Sequence, residues 1–223
     1  MKLIEYPDRD MLTIDLANQL AGDLSMALLQ HETASFAVPG GTTPGPVFDT
    51  LCAADLDWSR VRVVLGDERW VAETSDRSNT RLVRERLLVN RAAAATLVPM
   101  RTDADRPEDA LDELAAGIDP LLPLSVALLG MGTDLHTASL FPGADRLQAA
   151  LADDAPPVLA MRAAGAGEPR ITLSARVLDQ AIAKHVVIFG AEKKAAFDRA
   201  AGLDQAEAPI KAVWNGASVH WAE

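Results

Sequence analysis

The chain has 223 residues, of which 49% are hydrophobic and 24% charged, a composition typical of a globular protein with a sizeable core. Its formal net charge of −11 argues against nucleic acid and anionic membrane surfaces as partners, because binding to either depends on cationic side chains. The single cysteine, Cys52, cannot form an intrachain disulfide, and no apolar run resembles a signal peptide or a membrane span. We therefore expect a cytoplasmic protein with one domain, residues 1–223.

The first predicted elements are a long helix and a short buried strand. Leucines at a spacing of four predict a helix over residues 10–30. The apolar residues 35–38 predict a strand, which ends in the sequence Pro-Gly-Gly-Thr-Thr-Pro. Within that sequence Thr43 suits an N-cap and Pro44 suits the first helical position, so a second helix is predicted to begin there.

Strands and helices alternate along the rest of the chain. Further strands are predicted at residues 61–65, 126–129, 186–189 and 217–221, and helices at 78–89, 105–117, 172–183 and from about 192. This alternation predicts an α/β fold of three layers, a mostly parallel sheet with helices on both faces. Because ligands of such sheets bind beyond the carboxyl ends of the strands, the strand ends at Pro39, Gly66, Gly130 and Gly190 should converge on one site.

The first candidate segment for ligand binding is Gly40, Gly41, Thr42 and Thr43. Glycines let the backbone approach a ligand closely, and hydroxyl groups beside the N–H groups of a helix start can hold an anion. A plain turn between a strand and a helix is an equally good interpretation of this segment taken alone.

The second candidate segment carries three consecutive charges directly after a predicted strand. Asp67 and Arg69 are alternate residues, so in an extended chain their side chains share a face and can point into one cleft. For this segment alone, a solvated loop with a local ion pair is the simpler interpretation.

His136 is the strongest candidate for catalysis. It follows the glycine-rich end of a predicted strand, and Asp134 lies two residues before it. Imidazole titrates near neutral pH and can therefore remove a proton from water, while a nearby carboxylate can fix its tautomer. The alternative is a core histidine whose hydrogen bonds are satisfied by neighbouring groups.

Basic candidates for an anionic ligand come late in the chain. Arg170 precedes the helix predicted from residue 172, and Lys193 and Lys194 open the last predicted helix. The helix dipole disfavours a cation at a helix start, which a bound anion there would explain, although one of the two lysines can be a surface residue. No metal site is predicted from the scattered histidines, and no dinucleotide fingerprint is present, so no cofactor is expected.

Taken together, these segments resemble the 6-phosphogluconolactonase family, which is related to the glucosamine-6-phosphate deaminases. The matching segments are residues 39–44, 66–71 with 78–79, 130–143, 169–173 and 190–193, of which residues 130–143 are highly specific. The resemblance implies a fold of the deaminase and ribose-phosphate isomerase type. It also implies hydrolysis of 6-phospho-D-glucono-1,5-lactone to 6-phospho-D-gluconate in the oxidative pentose phosphate pathway.

The same resemblance assigns roles to individual residues. It implies that His136 is the catalytic base, with Asp67, Arg69 and Asp134 around the reacting end. It implies that the substrate phosphate is held by Gly41, Thr42, Thr43, Arg170 and Lys193, next to Gly40. The family spacing favours Lys193 over Lys194. We expect a monomer or a weak homodimer that takes a small phosphosugar lactone.

One residue departs from the family pattern. Leu135 stands where the family usually has glycine. If that position needs positive φ, the strain is about 1–2 kcal/mol, and the side chain would narrow the cavity.

Two other functions compete with lactone hydrolysis. A sugar-phosphate isomerase or deaminase would carry a glutamate shortly after the histidine, whereas residues 139–142 contain no acid. A non-catalytic phosphosugar-binding protein would keep the cations but not hydrolyse the lactone.

Overall fold

The computed structural model describes residues 1–223, with ten strands and seven α-helices. The strands are β1 (Lys2–Glu5), β2 (Ala34–Val38), β3 (Val61–Leu65), β4 (Asp67–Arg69), β5 (Thr96–Val98), β6 (Val126–Gly130), β7 (Val158–Met161), β8 (Arg170–Leu173), β9 (Ala183–Phe189) and β10 (Ser218–Ala222). The helices are α1 (Arg9–Gln30), α2 (Gly45–Leu51), α3 (Asn79–Arg86), α4 (Leu111–Ile118), α5 (Leu147–Leu151), α6 (Ala175–Asp179) and α7 (Ala191–Ala200).

Seven strands form one parallel sheet in the order β1-β10-β9-β6-β2-β3-β5. The chain proceeds outward from β2 through β3 to β5 on one side, and through β6, β9 and β10 on the other. The strand order therefore reverses between β2 and β6, the place where open parallel sheets bind ligands. The predicted α/β fold is confirmed, and the four strands expected to end at one site are consecutive neighbours.

Helix α1 shows why the leucine spacing was informative. The five leucines of its stripe are all buried, namely Leu12, Leu16, Leu20, Leu24 and Leu28. Asp8 caps the helix, because its side chain accepts a hydrogen bond from the N–H of Met11 at 2.8 Å. None of the helices has the length and apolarity needed to cross a membrane.

A second, three-stranded antiparallel sheet in the order β4-β8-β7 was not predicted. The helix predicted over residues 172–183 is wrong, since residues 170–173 pair with both β4 and β7 and only Ala175–Asp179 are helical. Pairing with strands far away in the sequence overrides the local helical pattern. One hydrophobic core, which includes Ile171 and Leu173 of β8, joins the small sheet to the large one.

Three other helix boundaries differ from the prediction. Helix α2 begins at Gly45 with Pro44 at the N-cap, and Thr43 does not cap it. Helix α3 ends at Arg86, although its predicted cap is confirmed by the hydrogen bond from the Arg81 N–H to the Ser78 hydroxyl at 3.2 Å. The helix predicted over residues 105–117 is a 3-10 turn, Pro107–Ala110, followed by α4.

Candidate active site

A cavity of about 260 Å³ opens at the carboxyl edge of the parallel sheet, beside the point where the strand order reverses. Its walls come from the segments that follow β2, β3 and β6, from β8, and from the first turn of α7. Nine of the predicted site residues line it, namely Gly40, Gly41, Thr42, Thr43, Asp67, Arg69, His136, Arg170 and Lys193. The tenth, Asp134, contacts His136 instead. The expected convergence of the strand ends is therefore found.

The loop after β2 depends on its two glycines. Gly41 has φ of 80°, a conformation that strains any other residue. A Cβ atom on Gly40 would lie 2.0 Å from the carboxamide of Asn79, so this position has no room for a side chain. The backbone N–H groups of Gly41, Thr42 and Thr43 donate to no acceptor within the protein and remain free for a ligand.

Asp67 and Arg69 are alternate residues of β4 and both line the cavity, as the sequence suggested. The intervening Glu68 is 1% exposed and its carboxylate accepts four hydrogen bonds. The donors are the N–H groups of Arg69, Asn79 and Thr80 and the hydroxyl of Ser78. Glu68 thereby holds the start of α3 against β4, while its neighbours Asp67 and Arg69 line the cavity.

Asp67 is a buried carboxyl group inside a hydrogen-bond network. Its Oδ2 accepts a hydrogen bond from the Ser139 hydroxyl at 2.5 Å and lies 3.7 Å from Nη1 of Arg170. Its backbone carbonyl accepts from Nδ2 of Asn79 at 2.9 Å. Burial raises the pKa of Asp67 above its usual range, although the Ser139 hydrogen bond and the charges of Arg170 and His136 oppose this.

The loop after β6 folds tightly around the histidine. Gly132 donates its N–H to the carbonyl of His136 at 3.0 Å, and Leu135 donates to the carbonyl of Gly132 at 3.0 Å. A Cβ atom on Gly132 would lie 2.3 Å from the His136 ring, so only glycine fits there. This close turn fixes the direction of the imidazole.

His136 and Asp134 are in direct contact, as the sequence suggested. Nδ1 of His136 lies 2.5 Å from Oδ1 of Asp134. Because a carboxylate only accepts hydrogen bonds, Nδ1 carries a hydrogen in this contact. Nε2 has no partner within the protein, and in the neutral imidazole it holds the lone pair. Burial by itself would raise the pKa of Asp134, but the hydrogen bond and charge of His136 outweigh burial and lower it.

Leu135 has the strained backbone expected from its position. Its φ is 70°, in the left-handed region. The side chain is 2% exposed and belongs to the hydrophobic core, so the expectation that it narrows the cavity is wrong. Its carbonyl accepts a hydrogen bond from the N–H of Ile210 at 3.0 Å, which anchors the histidine loop to the core.

The two lysines of α7 have different surroundings. Lys193 lines the cavity, and burial lowers its pKa against the opposing charge of Glu192. Lys194 points elsewhere and pairs with Asp198, with Nζ 2.9 Å from both carboxylate oxygens. Of the two, Lys193 is therefore the one placed to meet a ligand.

Sequence reasoning did not single out three residues that shape the site. Asn79 lines the cavity and holds Asp67; Ser139 donates to Asp67; and the Phe141 ring packs 4.4 Å from the His136 ring. Ser139 and Phe141 lie within the specific segment 130–143, so their presence there was the available signal. Asn79 falls in the short matching segment 78–79, but its hydrogen bond to Asp67 depends on the tertiary fold.

The fold and the site define an α/β protein whose cavity, at the carboxyl edge of the parallel sheet, brings cationic side chains close to a histidine with a free ring nitrogen. Residues 7–221 match the family described as glucosamine-6-phosphate isomerases/6-phosphogluconolactonase. The chain belongs to this family.

Curated relatives and solved structures support the assignment. The 6-phosphogluconolactonase of Mesorhizobium japonicum is 44% identical over 94% of this chain and 93% of its own length. The 6-phosphogluconolactonase of Rhizobium meliloti is 43% identical over 100% and 98%. The crystal structure of a 6-phosphogluconolactonase from Shewanella baltica is 33% identical and superposes with a TM-score of 0.96 over 100% of this chain and 98% of that chain. A monomeric glucosamine-6-phosphate deaminase, 16% identical with a TM-score of 0.77, shares the fold.

Proposed function

We propose that this protein is a cytoplasmic carboxylic ester hydrolase that converts 6-phospho-D-glucono-1,5-lactone to 6-phospho-D-gluconate in the oxidative pentose phosphate pathway. The observation that carries the proposal is the state of His136, whose Nδ1 is held by Asp134 while Nε2 is free at a cavity lined by cations. The relatives that match nearly the whole chain carry the same activity in their names.

In the proposed reaction, His136 acts first as a base and then as an acid. Nε2 takes a proton from water while the water oxygen bonds to C1 of the lactone, and the carbonyl oxygen becomes an oxyanion. Arg69 stabilises that oxyanion. The bond between C1 and the ring oxygen then breaks, His136 returns its proton to the ring oxygen, and the new carboxylic acid loses a proton to solvent.

The phosphate end of the substrate supplies orientation. Free N–H groups and hydroxyls of residues 41–43 and the ammonium group of Lys193 offer donors to phosphate oxygens, and Gly40 keeps the approach open. Binding energy from this end holds C1 near Nε2 of His136, which lowers the entropy cost of the reaction.

An isomerase or deaminase function is less well supported by the cavity. Ring opening of an amino sugar needs a further acid, and the segment 139–142, Ser-Leu-Phe-Pro, provides none. The deaminase neighbour is similar in fold alone.

The direct test is a pH-stat or coupled assay with freshly prepared 6-phosphogluconolactone, with the spontaneous rate subtracted. We expect hydrolysis well above background, and a much lower kcat/KM for unphosphorylated glucono-1,5-lactone, which lacks the group that residues 41–43 and Lys193 bind. Binding of 6-phosphogluconate without any enzymatic hydrolysis would instead identify a non-catalytic phosphosugar-binding protein.

A further inference from the structure

Two arginines lie directly opposite each other at the cavity, an arrangement that costs stability because their charges repel. Arg69 of β4 and Arg170 of β8 are register partners in the antiparallel sheet, and both line the cavity. Like charges directly opposite each other on neighbouring strands destabilise a sheet. The cost is explained if an anionic ligand lies between them.

Each of these two guanidinium groups has an N–H donor without a hydrogen-bond acceptor. Nε of Arg69 and Nε of Arg170 are both buried and have no partner. Arg170 also donates to the carbonyl of Ala166 at 2.9 Å, and Arg69 donates to the carbonyl of Arg77 at 2.6 Å. Buried donors without acceptors are costly, and acceptor oxygens of a ligand would offset that cost.

Nearby carboxylates do not neutralise the pair. Glu168 is ion-paired with Arg77, outside the cavity lining. Asp67 accepts from Ser139 and lies 3.7 Å from Arg170, which leaves one carboxylate at the cavity for the buried Arg170 and the half-buried Arg69. The excess positive charge favours a ligand group that bears at least a partial negative charge.

The contacts of Arg170 place the pair on the side of the histidine. The Arg170 guanidinium carbon lies 5.7 Å from the centre of the Phe141 ring, which packs against His136. Thr42, Thr43 and Lys193 also line a second cavity on the α1 side, together with Arg9. Neither arginine of the pair nor His136 lines that second cavity. Cationic side chains therefore lie at two ends of the site, Arg170 with Arg69 near His136 and Lys193 beside the second cavity.

We propose that Arg69 and Arg170 form a carboxylate subsite that binds the oxyanion at C1 during the reaction and the carboxylate of the product afterwards. Residues 41–43 and Lys193 then hold the phosphate at the opposite end. This inference rests on the proposed function and assigns Arg170 to the reacting carbon, whereas the family resemblance implied that Arg170 holds phosphate.

The test compares two ligands of equal length that differ at C1. 6-Phosphogluconate carries a phosphate and a carboxylate, whereas sorbitol 6-phosphate carries the same phosphate and a CH₂OH group. Binding of each is measured by isothermal titration calorimetry to the wild type and to Arg170→Gln, Lys193→Gln and Arg91→Gln. Calorimetry needs no turnover, so loss of hydrolysis alone would refute the proposed function and leave the subsite to be judged by binding.

We expect Arg170→Gln to weaken 6-phosphogluconate about 10- to 100-fold, the range for hydrogen bonds to charged groups, and sorbitol 6-phosphate less than about 3-fold. Lys193→Gln should weaken both ligands, and Arg91→Gln, which changes an exposed arginine paired with Asp55 outside the cavity, should weaken neither. Equal weakening of both ligands by Arg170→Gln would assign Arg170 to the phosphate and overturn the proposal, and so would no weakening of either.

A second variant covers the case in which Arg170→Gln does not fold. Arg170→Lys keeps the positive charge beside Asp67 but loses the planar fork that binds two oxygens at once. It should lower the affinity for 6-phosphogluconate relative to sorbitol 6-phosphate. An unchanged affinity ratio in a folded Arg170→Lys protein would contradict the carboxylate assignment.

Discussion

Two regions of the molecule pair a histidine with a carboxylate, and they have opposite properties. In the cavity, Nδ1 of His136 lies 2.5 Å from Asp134, and Nε2 has no partner. Beneath helix α1, Nε2 of His185 lies 2.7 Å from Asp23, while Nδ1 lies 3.0 Å from Nε2 of His220. The two regions differ in whether the second ring nitrogen of the histidine has a hydrogen-bond partner.

The region under α1 continues as a closed chain of hydrogen bonds. Nδ1 of His220 lies 2.9 Å from the Tyr6 hydroxyl, which donates to Asp15 at 2.6 Å. Every ring nitrogen of the two histidines there has a partner, and both rings are buried. A carboxylate beside a histidine is therefore not enough to indicate a base. A free, accessible second nitrogen is also required, and only the His136 region provides it.

The largest expected effect separates the two regions directly. His136→Ala should lower kcat about 10³-fold, within the range for removal of a general base, and leave the affinity for 6-phosphogluconate nearly unchanged. The measurement is the lactone assay with the spontaneous rate subtracted, beside calorimetry of product binding.

His220→Gln is the control, since it removes a histidine of the α1 region and should keep kcat within about 3-fold of the wild type. Near-normal turnover by His136→Ala would refute the assignment of the base. A loss of turnover in His220→Gln equal to that in His136→Ala would remove the distinction between the two regions.

A smaller effect is expected from the carboxylate partner. Asp134→Asn keeps the size of the side chain but removes the charge that holds the hydrogen on Nδ1 and stabilises the imidazolium, so kcat should fall about 10²-fold with little change in KM. Steady-state kinetics across pH checks this, because the loss should appear in kcat. An effect confined to KM would mean that Asp134 serves binding and does not orient the base.

We expect the histidine–carboxylate region beneath α1 to affect the free energy of unfolding and its dependence on pH. Burial, and then the charge of His185, lower the pKa of His220 to about 4 from its ordinary value of 6.5, against the opposing charge of Asp15. Below pH 6.5, His220 is protonated in the unfolded chain but stays neutral in the folded chain until the pH falls to about 4. The free energy of unfolding should therefore decline by up to about 3 kcal/mol between pH 6.5 and pH 4 from this site.

Urea titrations of the wild type and His220→Gln over that pH range measure the contribution. The substitution should lower stability near pH 7.5, because it breaks the chain of hydrogen bonds, and should also flatten the decline at lower pH. A decline of equal slope in both proteins would show that His220 does not titrate in this way. Asp15, Asp23, Lys2 and His185 remain in both proteins, so their contributions are shared.

The parts of the site at the ends of the buried strands of the large sheet were predictable, because glycine and proline mark where β2, β3, β6 and β9 end. The small sheet was not, because β4 has only three residues, all charged, and pairs with β8 about a hundred residues later in the chain. That pairing decides where Arg170 lies. Sequence patterns could identify Arg170 as a ligand-binding cation, but its position opposite Arg69 is a product of the tertiary fold.

The smallest predicted effect is the stability difference between two substitutions of Leu135, which connects the histidine loop to the core. Leu135→Ala removes buried contacts and keeps a side chain at a φ of 70°, so it should lower the free energy of unfolding by about 2–5 kcal/mol. Leu135→Gly removes the same contacts but relieves left-handed strain of about 1–2 kcal/mol. The glycine variant should therefore be more stable than the alanine variant by about 1 kcal/mol, after the greater flexibility of unfolded glycine is subtracted.

Chemical denaturation of the two variants measures this difference, and neither should lose more than about 10-fold in kcat if Asp134 still holds the His136 ring. An alanine variant more stable than the glycine variant would show that the loop relaxes out of the left-handed region when the leucine is removed. Leucine at this position would then impose the conformation by packing. The expected order instead means that the backbone needs positive φ there and that burial of the leucine side chain offsets the strain.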